Sequence, residues 1–250
     1  MRDSTTRFSD CVEDYVRFRP GYPPAVAALL RERFGLGRDA VVVDVGSGTG
    51  KLTELLLVAG WTVLAVEPNR EMRAAAEALL GNRPGFVSVE GRAEATTLAS
   101  GSVDLVTAAQ AFHWFDKAAA RVEFRRILRP GCCVALLWNE RTLGSAFGEE
   151  YERLLEGHSV DYDEVSRRRT SGEDAAEAFL AGYEEASFDN PQETDLQGLI
   201  GRYLSASYAL KRDDPRFPRA VEALGALYER HARGGRLLMP TTTRVYWGKV

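Results

Sequence analysis

Three glycines at alternate positions, Gly46, Gly48 and Gly50, follow an acid, Asp44, that ends the apolar run Val41-Val42-Val43. This is the composition of a buried strand running into a glycine turn at a helix N-terminus. Backbone N–H groups in such a turn can reach a polar ligand that a Cβ would hold off. The spacing narrows the chemistry. A phosphate loop needs glycine, four residues, then Gly-Lys-Ser/Thr. Here Gly50-Lys51 is followed by Leu52, and Val45 stands five positions before Gly50. A dinucleotide fingerprint needs Gly-x-Gly-x-x-Gly, but Lys51 occupies its third glycine position. Nucleoside triphosphate binding and hydride transfer by this turn are both disfavoured.

Other residues with usable chemistry lie downstream. Glu67 closes the next apolar run, 23 positions after Asp44. An acid there can accept hydrogen bonds from both hydroxyls of a ribose. His113 follows the fourth apolar run, on the side where doubly wound sheets bind ligands. Its ordinary pKa of ~6.5 suits a general base. The alternative is a histidine that only positions substrate or packs beneath a ligand. Phe112, Trp114 and Phe115 surround it and could line an apolar acceptor pocket. Arg141, just past the fifth run, could bind an acidic acceptor or stand in a plain salt bridge.

The elements that must position these groups follow from periodicity. Short, nearly continuous apolar runs at Val41–Val45, Trp61–Val66, Phe86–Val89, Val103–Thr107 and Val134–Trp138 read as strands buried on both faces. Helical stripes lie between them: Leu52, Leu55, Leu56 and Ala59, then Met72, Ala75, Ala76 and Leu79. Asp116 can cap a helix carrying Phe124, Ile127 and Leu128, which stops at Arg129-Pro130-Gly131. Alternation of this length implies an α/β fold with a doubly wound parallel sheet.

Beyond residue 141 helical patterns dominate, around Phe147–Glu156, Glu173–Tyr183, Leu196–Leu210 and Phe217–Arg233. Two strand candidates remain there, Glu184–Phe188 and a final one, Thr241–Trp247, that could run antiparallel in the same sheet. Val160–Gly172 is polar and reads as an exposed loop. We therefore expect a single domain: leader helices over 1–38, a ligand-binding core over 39–141, a mainly helical cover with one sheet strand over 142–236, and a final strand over 237–250.

The glycine spacing, as Asp44-Val45-Gly46-Ser47-Gly48-Thr49-Gly50, resembles the first motif of class I S-adenosylmethionine-dependent methyltransferases. Further matches follow in order: Glu67, then Gly91-Arg92-Ala93-Glu94, Ser102-Val103-Asp104-Leu105-Val106 with Gln110-Ala111-Phe112-His113-Trp114-Phe115, and Ile127-Leu128-Arg129-Pro130-Gly131. The N-terminal Tyr15-Val16-Arg17-Phe18-Arg19-Pro20-Gly21-Tyr22-Pro23 is similar to the leader of the type-11 subgroup that includes trans-aconitate methyltransferase-like proteins. One departure is Cys132, where the family usually has a second glycine.

The resemblance implies a Rossmann-like seven-stranded sheet with its last strand antiparallel. It implies S-adenosylmethionine as cofactor and methyl transfer to a small molecule as the reaction. It also implies the contacts. Gly46, Ser47, Gly48, Thr49 and Gly50 would approach the methionine part of the cofactor. Asp44 would engage its ammonium group, or would only brace the glycine turn. Glu67 would hold ribose. Pro68, Asn69 and Met72 would lie by adenine, Met72 being equally a core-stripe residue. Ala93 and Glu94 would sit on adenine's other side, unless Glu94 only caps a helix. Ala109 and Gln110 end the fourth strand beside them. Tyr15 and Arg19 would reach back over the cofactor, or would belong to a surface-packed leader. Pro20 fixes the backbone after Arg19, which favours it over Arg17 as the inward arginine.

Composition sets outer limits. The chain has 250 residues and a net charge of −4, so no global field attracts nucleic acid. No apolar run approaches the ~20 residues of a membrane span. The N-terminus lacks a signal-peptide core, so a cytoplasmic protein is expected. The three cysteines, Cys11, Cys132 and Cys133, suit neither a disulfide framework nor a metal cluster, and His113, His158 and His231 are scattered. His158 and His231 are expected to be exposed, and Tyr208 and Trp247 to be core. Residues 145–195 carry 15 acids against 4 bases, whereas 196–250 carry 10 bases against 4 acids. These are two solvated faces or a charged cover beside a substrate pocket.

Overall fold

The computed structural model describes residues 12–142, 144–160, 162 and 172–250. In chain order its elements are α1 (Val12–Phe18), α2 (Pro24–Phe34), β1 (Val41–Val45), α3 (Lys51–Val58), β2 (Thr62–Val66), α4 (Arg70–Leu80), β3 (Phe86–Val89), β4 (Val103–Ala109), α5 (Lys117–Ile127) and β5 (Leu128–Arg141). There follow α6 (Ala146–Gly157), α7 (Gly172–Phe179), β6 (Glu184–Asp189), β7 (Gln192–Thr194), α8 (Leu196–Leu204), α9 (Phe217–His231), β8 (Leu237–Met239) and β9 (Thr241–Gly248).

Seven strands form one sheet in the order β3-β2-β1-β4-β5-β9-β6. The first five are parallel, and β9 runs antiparallel to both β5 and β6. The expected doubly wound sheet with an antiparallel last strand is therefore present. Its central strands are buried on both faces, and alternate residues feed opposite cores. Val42, Leu105 and Val245 join α2 and α3 residues such as Leu30 and Leu56. Val43, Val106 and Tyr246 join Phe124 of α5 and Phe179 of α7. A parallel sheet with helices on both faces requires this pattern.

Local sequence explains the helix starts. Asn69 caps α4 by accepting from Met72 N–H at 2.8 Å. Asp116 caps α5 through the N–H groups of Ala118 and Ala119. α3 instead begins from Gly50 at φ +85°, a conformation glycine adopts without a Cβ clash.

β5 is longer than the run Val134–Trp138. Val103 pairs with Leu128 but Leu105 pairs with Cys133, so Arg129–Cys132 loop out of the ladder around Gly131 at φ +86°. Past Leu137 the strand continues on β9 alone, as far as the Arg141–Thr241 pair. Both cysteines of this strand are free and partly buried, and burial pushes their thiols up.

The cover has a core of its own: Phe147, Tyr151 and Leu155 of α6, Leu199 and Tyr203 of α8, and Leu224 and Leu227 of α9. A two-stranded ribbon, β7 with β8, was not anticipated. Three residues per strand are too few to show a period. α8 stops at Leu204, short of the expected Leu210. Most of the expected loop at Val160–Gly172 lies outside the described residues, but Tyr162 within it is buried. His158 and His231 are half-buried rather than exposed. His231 packs edge-on against Phe147 with Nε2 3.2 Å from Glu150. Tyr208 and Trp247 are buried. No helix of the described residues is long and apolar enough to cross a membrane.

Candidate active site

The glycine turn is anchored on the end of β2. Gly46 and Ser47 N–H both donate to Val66 C=O, at 2.8 and 3.2 Å. Gly48 N–H donates to Glu67 Oε2 at 2.8 Å, while Glu67 Oε1 accepts from Asn69 N–H at 2.8 Å. Glu67 thus links the turn after β1 to the turn after β2. Each of its oxygens keeps a lone pair for a ligand. Burial pushes its carboxyl up, and the two N–H groups counter that.

Asp44 lies beneath the turn, 1% exposed. Its Oδ2 accepts from Thr53 Oγ1 at 2.7 Å, and Thr107 Oγ1 stands 3.5 Å from Oδ1. Glu67, not Asp44, is the carboxylate bonded to a glycine N–H of the turn. Burial pushes the Asp44 carboxyl up to about 6 from an ordinary 3.8, against the threonine hydrogen bonds. Between those values the folded protein holds a proton that the unfolded chain has released. The resulting stabilisation is full below the unfolded value and is lost as pH rises toward 6, on the order of 3 kcal/mol in all. Asp44→Asn should therefore flatten the pH dependence of stability between pH 4 and 6. Denaturant unfolding at several pH values measures this, and an unchanged slope would refute the assignment.

A cleft of about 740 Å³, counting its open mouth, lies at the C-terminal ends of the parallel strands. Gly46, Gly48, Glu67, Pro68 and Met72 wall one side. Arg92, Ala93, Glu94, Ala109 and Gln110 continue the wall, with Ala111, Trp114 and Phe115 beyond them and Tyr15 reaching in from α1. Met72 belongs both to the α4 stripe and to the wall. Glu94 Oε1 accepts from Asp116 N–H at 2.8 Å, tying the wall to the start of α5. Gln110 holds φ +57° and donates from Nε2 to Asn139 C=O at 2.8 Å. A left-handed non-glycine backbone at a strand end beside a cleft is strain of the kind found at ligand sites.

Several expected residues lie elsewhere. Phe112 does not line a pocket. It is 1% exposed, edge-on to Phe179 at 4.7 Å and to Trp138 at 6.3 Å, in the core under the sheet. Asn69 is buried as the α4 cap and is not on the wall. His113 is half-buried on a 3₁₀ turn (Phe112–Trp114), its ring 4.7 Å from that of Trp114. It sits between wall residues without being one. Arg19 turns inward and Arg17 outward, as Pro20 suggested. Yet Arg19 donates to Ser205 C=O at 2.9 Å and stacks on Tyr15 at 5.2 Å, so it faces the cover. Arg141 donates to Glu152 at 2.7 Å and to the Tyr162 hydroxyl at 3.0 Å. Trp114 and Phe115, expected to line a pocket, stand on the wall, whereas Arg92 and Ala111 were missed although they stand inside the quoted motifs.

The site suits the cofactor that the resemblance implies. Gly48 at φ +56° has nothing within 4 Å of where a Cβ would stand, so its backbone is open to the cleft. Ser47 Oγ and Thr49 Oγ1 are sealed from solvent without a partner among the described residues, and neither residue stands on the cleft wall. Glu67 offers lone pairs at ribose spacing, and Pro68, Met72 and Ala93 offer apolar surface beside it.

Comparison with known proteins agrees. Residues 43–136 match the family model described as a methyltransferase domain. An uncharacterized methyltransferase of Mycobacterium tuberculosis is 42% identical over 209 residues, spanning 84% of this chain and 80% of its own. An uncharacterized methyltransferase of Schizosaccharomyces pombe is 33% identical over 150 residues, 60% of this chain and 59% of its own. A structure titled as a type II methyltransferase from Anaeromyxobacter dehalogenans superposes with a TM-score of 0.65 at 23% identity, covering 93% of this chain and 98% of that one. A Haemonchus contortus phosphoethanolamine N-methyltransferase, solved with phosphomonomethylethanolamine and S-adenosylhomocysteine, gives 0.55 at 15% identity over 99% of this chain and 58% of its own.

Proposed function

We propose that this chain, which belongs to the class I S-adenosylmethionine-dependent methyltransferases, passes its methyl group to a small-molecule acceptor. The observation that carries the small-molecule reading is the cover. Helices α6, α8 and α9 share a core, and α1 packs between α8 and α4. Held against the cover in this way, α1 brings Tyr15 to the cleft wall, and a recessed cleft suits a small acceptor better than a flat macromolecular surface. The net charge of −4 also argues against a nucleic-acid acceptor. Incubating the protein with methyl-labelled cofactor and a cell extract, then separating metabolites, protein and RNA, tests this. Label is expected in the metabolites. Label confined to protein or RNA would overturn it.

Bound S-adenosylmethionine supplies a methyl group on a sulfonium, already activated toward a nucleophile. The protein's task is to hold acceptor and methyl in line, and positioning supplies much of the rate. In this reading Glu67 accepts both ribose hydroxyls on the lone pairs left by Gly48 and Asn69. Pro68, Met72 and Ala93 enclose adenine, with Glu94 at its edge. Gly46 and Gly48 would admit the methionine part to the backbone, and Asp44 would place negative charge below its ammonium. Tyr15 closes the cleft from α1. His113 shares a turn with Ala111 and Trp114 but stays off the cofactor wall. We assign it to the acceptor, as the base wherever the accepting atom carries a proton.

Glu67→Ala should weaken cofactor binding by about 1–3 kcal/mol, the range for losing hydrogen bonds to a charged group. The change also frees the Gly48 and Asn69 N–H groups. Calorimetry showing wild-type affinity in a folded variant would remove Glu67 from the ribose role.

A further inference from the structure

One half-buried cation has no role in the cofactor site. Arg202 lies in α8, which receives α1 across Gly201. A Cβ at Gly201 would stand 2.1 Å from the Phe18 ring, so only glycine lets the two helices meet this closely. The Arg202 Nη1 is sealed from solvent and has no hydrogen-bond partner among the described residues, although the residue as a whole keeps partial exposure.

Arg202 is not alone. Arg19, at the end of α1, spends Nη2 on Ser205 C=O, yet its Nε is sealed and without a partner. Arg141, at the end of β5, donates to Glu152 and Tyr162, stands 3.5 Å from the Tyr208 hydroxyl and lies over the Tyr151 ring at 5.6 Å. Its Nε is likewise sealed without a partner. Among the described residues, Glu152 is the one carboxylate hydrogen-bonded to any of these three arginines. A folded chain seldom gathers like charges in low dielectric without a counter-charge, because desolvation disfavours each and their repulsion adds. Burial pulls the Arg202 guanidinium down to about 9, with Arg19 and then Arg141 adding repulsion while Tyr151 and Tyr208 resist it.

The group adjoins the cleft. Arg19 stacks on Tyr15, which is itself a wall residue. Ser205, whose carbonyl Arg19 binds, caps α8 three residues beyond Arg202, so Arg19 and Arg202 stand together where α1 meets α8. The three arginines come from three separate elements and meet only when the cover is in place.

We propose that Arg202, flanked by Arg19 and Arg141, binds an anionic group of the methyl acceptor, so that the acceptor is a small molecule bearing a carboxylate or a phosphate. This rests on the small-molecule reading of the site. A guanidinium fork matches either oxyanion by paired N–H donors.

The full-length protein, its Arg202→Gln and Arg202→Lys variants and Arg19→Gln serve the test. Malonate and inorganic phosphate are titrated as probes by thermal shift, with S-adenosylhomocysteine affinity measured alongside. Labelled methyl transfer is then followed into panels of carboxylates, phosphate monoesters and their neutral esters. We expect one probe class to stabilise the wild type and not Arg202→Gln, which identifies the oxyanion. We expect KM for the matching acceptor class to rise at least tenfold in Arg202→Gln, less in Arg202→Lys, with S-adenosylhomocysteine affinity unchanged. Should Arg202→Gln fail to fold, the KM of Arg19→Gln decides. The proposal falls if neither anion stabilises the wild type or if only neutral or cationic small molecules are methylated. It falls equally if KM for an anionic acceptor is the same in every variant. Label found only in macromolecules, with anion binding still lost in Arg202→Gln, would instead remove the small-molecule reading and keep the anion site.

Discussion

Gly48→Ala is expected to weaken cofactor binding by roughly 100-fold or more, about 3 kcal/mol, while costing the fold only ~1–2 kcal/mol for a left-handed alanine. The new methyl has no protein atom within 4 Å and projects toward the cleft that Gly48 lines. It therefore occupies ligand space rather than core space. Gly46→Ala should behave in the opposite sense. At φ +70° its Cβ would stand 2.5 Å from the Ala111 Cβ, so the turn after β4 must shift. Adding overpacking to the backbone strain gives a stability loss of about 2–5 kcal/mol. Calorimetry of S-adenosylhomocysteine binding and denaturant unfolding, run on both variants, separate the two effects. Wild-type affinity in Gly48→Ala would mean that the cofactor does not approach this backbone. Equal stability losses in the two variants would mean that the Gly46–Ala111 contact does not constrain the fold.

His113→Ala should lower kcat by roughly 10²–10⁴-fold, the usual worth of a general base, with cofactor affinity unchanged. The histidine shares its turn with two wall residues and is not itself on the cofactor wall, so its loss should spare the cofactor. A base also leaves a signature in pH. The wild-type rate should fall as pH drops through the imidazole pKa, because the protonated ring cannot take a proton. His113→Gln, which keeps much of the shape, should lose both the rate and that acid limb. Retained turnover in either variant would leave His113 a packing residue. A rate lost in His113→Ala but restored in His113→Gln would make it a positioning residue.

The parts of this molecule that were legible in sequence are those where one residue type answers one local demand. Alternate glycines answer a backbone that must turn and stay open, and Gly46, Gly48 and Gly50 do so at positive φ. Doubly buried strands show as continuous apolar runs, which placed β1 to β4 within a residue or two. Asp116 declared the start of α5 through its capping chemistry. Other features depend on direction in space. Four neighbours, Phe112 to Phe115, cannot be sorted into core and wall from their order, and Phe112 proved to be core. The β7–β8 ribbon is too short to carry a period. Arg202 stands in an amphipathic helix where an arginine is unremarkable; its order in the chain does not show that α1 packs on that helix and that its Nη1 is sealed.

The position of β9 has a consequence for how the chain is built. Among the described residues strand β6 pairs only with β9, and β9 inserts between β5 and β6. β5 and β6 are therefore synthesised before the strand that must join them. Until residues 241–248 emerge, one edge of β5 has no ladder partner, and an open edge is a template for pairing with another chain. Closing it demands contacts between residues far apart in sequence, which slows folding. Any truncation that removes β9 should leave an aggregating nascent chain rather than a smaller working enzyme. Arg141, which pairs with Thr241 across that same ladder, would lose its place beside Arg202 along with it.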